Sequence, residues 1–120
     1  MAKIIIPIVT PSLNELINMH YHDKARLKKS YKAHIEGAVH DMGMKIERMK
    51  RPKKRTVKIY SFRKRECDRD NLIGGMKPFI DAIRELGLIW DDSPKYIDLN
   101  IFQLEDKYDP RTEVFIEEMK

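Results

Sequence analysis

Two acidic pairs bracket a helix-like run in "ECDRDNLIGGMKPFIDAIRELGLIWDDSP", residues 66–94: Asp68 and Asp70 before it, Asp91 and Asp92 after it. Like charges brought together repel, so carboxylates gathered at one place need a cation or a proton among them. Mg²⁺ takes oxygen ligands and is commonly held by one or two carboxylates together with water and substrate phosphate. A cation held in this way activates water and neutralises the charge that develops on a phosphodiester under attack. Lys77, just ahead of the regular part of the helical run, is a group that can stabilise the same charge.

Local geometry makes such a gathering possible. At the end of a strand-like run, side chains two apart leave one face, with the Cα atoms of Asp68 and Asp70 roughly 6.5–7 Å apart. The helical run turns at Gly87 and returns through Leu88–Trp90, carrying Asp91 and Asp92 back toward that strand end. Each residue also has an ordinary structural use. Asp70 can cap a helix that starts at Asn71 or Leu72, and Asn71 itself reads as a cap more readily than as a partner of a metal-bound water. Asp91 and Asp92 can be turn residues ahead of Ser93–Pro94, and Lys77 can be a plain surface lysine. Only the combination points to a site.

The charge distribution supplies its surroundings. Residues 1–65 hold 17 Lys and Arg against 5 Asp and Glu, and residues 66–120 hold 7 against 14, so a net +12 and a net −7 underlie the overall +5. A basic first half suits a polyanion, and the second half carries the carboxylates. Arg63, Lys64, Arg65 and Arg69 flank the first acidic pair and are placed to grip phosphates beside a cut. "KRPKKR" (50–55) reads as a charged loop, and Lys24, Lys28, Lys29 and Lys32 as a cationic helix face open to DNA or simply to solvent. His20 and His22 form an H-x-H with no third ligand suitably spaced, and read as loop residues near DNA.

The elements that must position these residues follow from periodicity. "KIIIPIV" (3–9) reads as a strand, with Pro7 marking an edge or bulge. "TPSLNELINMHYHD" (10–23) is loop-like. Apolar residues from Leu27 to Met49 step by three and four, an amphipathic helix over roughly 23–49. "TVKIYSF" (56–62) alternates as a strand. The run after Asp70 is a kinked or two-piece helix, with Pro78 in the first turn of its regular part and Gly87 as its stop. "KYIDLNIFQLE" and "TEVFIEE" read as two strands joined by "DKYDPR" as a hairpin. The order β-α-β-α-β-β predicts a small mixed sheet of about four strands with two helices packed on it, one α/β domain over residues 1–120. No apolar run approaches a membrane span. The start lacks the features of a signal peptide, and the single cysteine, Cys67, fits a reducing cytoplasm.

The pattern D-R-D-N-L, then a lysine, then D-A-I, then G-L-I-W-D-D resembles the RusA family of Holliday junction resolvases. "TPSLNE" is similar, less specifically, to that family's Pro-Ser-x-Asn element, which makes Asn14 a DNA contact. The resemblance implies that Asp68, Asp70 and Asp92 are metal-binding carboxylates, with Asp91 a less critical partner. It implies that Lys77 is the catalytic lysine, provided "IGG" is a short insertion after Leu72. It further implies Mg²⁺, or Mn²⁺ in its place, four-way junction DNA as substrate and a homodimer as the working species. Two other readings stay open on the residues alone: a different structure-specific metal-dependent nuclease, and a non-catalytic DNA-binding module whose acidic cluster is structural.

Overall fold

Apolar residues alternate through four segments, and the chain spends them on one sheet. The computed structural model describes residues 3–118, ordered as β1 (Lys3–Ile6), α1 (Leu13–Ile17), α2 (Tyr21–Asp41), β2 (Arg55–Arg63), α3 (Arg69–Gly75), α4 (Lys77–Glu85), β3 (Ile97–Glu105) and β4 (Arg111–Glu118). The four strands form a mixed sheet in the order β1-β4-β2-β3, with β2 parallel to β3 and antiparallel to β4. The expected mixed α/β fold is therefore present. Helices α2 and α4 pack on one face of the sheet, where Tyr31, Ile35, Phe79 and Ile83 meet Ile4, Val57, Ile59, Val114 and Ile116. Tyr31 and Phe79 touch edge-on at 5.3 Å, the offset arrangement aromatic quadrupoles favour.

Several boundaries differ from expectation, each for a local reason. The first long helix ends at Asp41 rather than near Met49, because Gly43 takes φ 73° and closes it: Gly43 N donates to His40 O at 2.8 Å and Met44 N to Val39 O at 3.2 Å. That is the paired bonding of a Schellman stop. Gly87 (φ 79°) ends α4 in the same way, as expected, with Gly87 N on Arg84 O and Leu88 N on Ile83 O. The segment read as a loop over 10–23 contains α1, started by a reciprocal capping box between Ser12 and Glu15. His22 lies inside α2, and His20 caps that helix by accepting from His22 N–H.

The second helical run is in two pieces, as expected, with Pro78 at the start of α4. Strands β3 and β4 do not form a hairpin. Asp106 N donates to Arg63 O at 2.7 Å, so the connection crosses the end of β2 and β4 continues on the far side of that strand. Pro7 follows β1, which is an edge strand, as a proline there should. Among the described residues no helix is long and apolar enough to cross a membrane.

Candidate active site

The first acidic pair does not stand at a strand end. β2 stops at Arg63, and α3 begins at Arg69, so Asp68 occupies the N-cap position and Asp70 the first helical turn. Residues two apart at a helix start do not share a face, unlike residues two apart on a strand. Neither Asp70 nor Asn71 is the cap, and Asp68 makes no capping hydrogen bond with its side chain. Its position is fixed through the backbone instead. Gln103 on β3 clasps Cys67, its Oε1 accepting from Cys67 N–H at 3.1 Å and its Nε2 donating to the Cys67 carbonyl at 2.7 Å. Arg69 adds a bond from Nη1 to the Ile101 carbonyl at 3.2 Å. The Asp68 and Asp70 side chains are exposed.

The glycines of "IGG" have a packing reason. Gly74 lies against Leu13, and any Cβ on Gly75 would run into the Pro11 carbonyl. The 11–13 chain thus crosses directly over the end of α3, and α1 packs beside that helix. This crossing brings Asn14, exposed on α1, alongside α3.

The second acidic pair meets the lysine. Lys77 Nζ donates to Asp92 Oδ2 at 2.8 Å and to Asp81 Oδ1 at 3.1 Å. The hydrogen bond to Asp92, then that to Asp81, raises the Lys77 pKa, so the ammonium stays charged through the neutral range. The same bond from Lys77 lowers the Asp92 carboxyl below its ordinary value. Asp91 is half-buried on the same turn, and Trp90 beside it is exposed. Asp81 is the participant that sequence reasoning missed. Its signal was present, since residues four apart on a helix are neighbours, and Lys77–Asp81 has that spacing.

Carboxylate oxygens suit Mg²⁺ in kind, and Asp68 has a carboxylate not used for capping. The closed set is nevertheless not assembled in this arrangement: among the described residues no three His, Cys, Asp or Glu side chains stand close enough to hold a metal ion. Asp92 is neutralised by Lys77 instead.

The basic residues divide. Lys64 and Arg65 are exposed beside the acidic segment, but Arg63 is only 8% exposed, its Nη1 directed at Thr10 Oγ1 (3.4 Å) and Ser61 Oγ (3.3 Å). Strand alternation turns Arg63 inward with Val57, Ile59 and Ser61. It belongs to the scaffold, which corrects its expected place among surface phosphate contacts. A cleft of about 380 Å³ between α2 and the start of α4 is lined by Lys24, Lys28, Lys77 and Asp81. Lys28 and Lys32 are partly engaged, bridging α2 to Glu85 at 2.7 and 3.0 Å. The "KRPKKR" segment is an irregular charged stretch, as expected, up to Arg55, where β2 starts. It sits beside the return toward Asp91: Met49 N donates to Gly87 O, and Arg55 Nη1 donates to Leu88 O at 2.7 Å.

No protein-family model matches this chain, and no curated protein matches it in sequence.

Proposed function

We propose that the chain is a metal-dependent endodeoxyribonuclease of the RusA-like class, cutting four-way DNA junctions as a homodimer. One observation carries the reading. The lysine and the aspartate singled out by the sequence pattern, 15 residues apart in the chain, meet at 2.8 Å. A cation next to a carboxylate, in a chain that also exposes Asp68 and Asp70 at the start of α3, supplies residue types that phosphodiester hydrolysis uses. The Lys24–Lys28–Lys77 cleft, together with exposed Lys64 and Arg65, supplies positive charge for the flanking phosphates.

Asp68, Asp70 and Asp92 would hold Mg²⁺ or Mn²⁺, which when bound supplies water activation and charge neutralisation. Lys77 has two acceptors in the free protein. Asp81 would keep the ammonium anchored were Asp92 engaged by a metal ion, and Lys77 would then stabilise charge on a non-bridging phosphate oxygen. Asn14, exposed on α1 where the 11–13 chain crosses the end of α3, would be the DNA contact that the Pro-Ser-x-Asn resemblance implies.

The Lys77–Asp92 bond also supports a second reading, as a clasp between α4 and the 91–94 turn in a DNA-binding module without activity. Incubation with labelled four-way junction across a Mg²⁺ and Mn²⁺ titration separates the two. Metal-dependent scission supports the nuclease; tight binding with no scission at any metal concentration supports the module. Equal cutting of flaps or nicked duplex would instead indicate a different structure-specific nuclease.

A further inference from the structure

Six of the eight residues from Arg48 to Arg55 are Lys or Arg, and the site around Lys77 uses none of them. Like charges repel, so a free segment of this composition would spread them into solvent. The fold gathers them instead. The stretch between α2 and β2 is fastened to the end of α4 by three donations. An Arg48 guanidinium N–H reaches the Glu85 carbonyl, Met49 N–H the Gly87 carbonyl at 2.9 Å, and Arg55 Nη1 the Leu88 carbonyl at 2.7 Å. Anchored in this way, Arg48, Lys50, Arg51, Lys53 and Arg55 line one cleft of about 340 Å³. Small-molecule sites begin at about 300 Å³.

The lining holds these five cations against two carboxylates, Glu47 and Glu118, a net of +3. Neither carboxylate neutralises them well. One oxygen of the exposed Glu118 is stretched between Arg55 at 3.4 Å and Lys53 at 3.8 Å, whereas charge-assisted N–H···O bonds ordinarily close to about 2.7–2.9 Å. Lys50 and Arg51 are exposed and have no ion-pair partner among the described residues. Arg55 Nε is buried and donates to nothing among the described residues. Lys and Arg bring donors and no acceptors, so the cleft carries a surplus of donors and of positive charge together. Its complement is a multiply charged anion rich in acceptor oxygens. Phosphate has that chemistry, met by Lys as a point charge and by Arg as a fork.

The position of the cleft favours a compact anion over a duplex. β2 runs nine residues from Arg55 to Arg63, so the cleft lies roughly 26 Å along that strand from the end that leads to Asp68. Its lining shares no residue with the Lys24–Lys28–Lys77 cleft. A duplex presents its phosphates as a track along the groove edges. Five cations around one small cleft suit phosphates linked to each other in a single small molecule.

We propose that this cleft is a second anion site, which takes a compact oligophosphate such as a triphosphate chain. The inference does not use the nuclease reading. Isothermal titration calorimetry with inorganic triphosphate, at low ionic strength and without metal, tests it on wild type and two double variants. Lys50→Ala/Arg51→Ala removes two cations of the cleft, and Lys29→Ala/Lys107→Ala removes two exposed cations elsewhere. All four side chains are exposed, so both variants should fold, which circular dichroism checks. Wild type should bind one triphosphate, and orthophosphate far more weakly. Lys50→Ala/Arg51→Ala should weaken triphosphate binding by roughly 10-fold or more, the effect of losing a hydrogen bond between charged groups. Lys29→Ala/Lys107→Ala should weaken it by about 2-fold at most, since exposed charges more than a Debye length away are screened. A short duplex added in excess should leave the triphosphate in place. No saturable binding, or an equal loss in both double variants, would overturn the proposal. Displacement of the triphosphate by the duplex would overturn it too, because the cleft would then be part of a DNA surface.

Discussion

Lys77 shares one ammonium between two carboxylates, 2.8 Å from Asp92 and 3.1 Å from Asp81. In the proposed reaction, loss of Lys77 removes a preorganised donor to the phosphate. Lys77→Ala should therefore slow cleavage by on the order of 10²-fold, with a much smaller loss of junction affinity from the one cation removed, measured by single-turnover kinetics beside a binding assay. Asp68→Asn, Asp70→Asn and Asp92→Asn should each abolish cleavage and leave binding intact, with Asp91→Asn milder. Full activity in any of the first three would remove it from the metal set. Lys77 and Asp92 were each singled out by the resemblance of the acidic stretch to a known pattern, but their direct pairing was not legible, since Asp92 was expected to stand with Asp68 and Asp70. The buried position of Arg63 was legible, by parity, since Val57, Ile59 and Ser61 are all inward. It was missed because a run of adjacent charges, "RKRE", reads as one exposed surface when strand alternation is not carried to its last residue.

At the scale of elements, Glu85 fastens α4 to α2 through Lys28 and Lys32. Hydrogen bonds from Lys28, then from Lys32, hold its carboxyl down to about 2. A depressed carboxylate contributes stability that is fully present above its unfolded value of about 4.5 and lost as pH falls toward about 2. Wild type should therefore lose stability across that window. Glu85→Gln should be less stable by about 1 kcal/mol at neutral pH, a figure discounted for solvent screening, and should have a flatter acid limb in thermal melts. A variant with the wild-type acid profile would show that the clasp does not contribute. Gly75 gives a second test. Its Cβ would meet the Pro11 carbonyl, a backbone atom that cannot move aside cheaply, so Gly75→Ala should cost about 1–3 kcal/mol and displace the 11–12 segment and α1, which carries Asn14. An unchanged melting temperature would contradict the close crossing.

Helix existence and stops were mostly readable from periodicity and from Gly87. Helix α1 was readable from the Ser12–Glu15 spacing but hidden among loop-forming residues. The β3–β4 connection was not readable. A short turn-rich link looks the same whether its strands pair with each other or admit a third between them, and β2 enters through contacts distant in sequence.

For the whole molecule, the proposed DNA binding would draw on the asymmetry between a net +12 first half and a net −7 second half through phosphate neutralisation. Junction affinity should fall steeply with salt, by on the order of 10³-fold between 50 and 200 mM if six or more phosphates are contacted. A shallow slope would mean that the basic residues are solvated rather than engaged. The fold class and the acidic stretch were legible in the sequence. The detachment of Asp68 and Asp70 from a strand end was not, because β2 stops at Arg63 and the segment before α3 is held by the Gln103 clasp on Cys67, a contact 36 residues away. The central claim, metal-dependent resolution of four-way DNA, is tested most directly by incubating the protein with an end-labelled mobile junction in Mg²⁺, beside linear duplex of the same sequence. Paired nicks on opposing strands of the junction are expected, absent with chelator and absent with Asp92→Asn, which should still retard the junction on a gel. No scission in Mg²⁺ or Mn²⁺, or cutting of linear duplex at an equal rate, would contradict it.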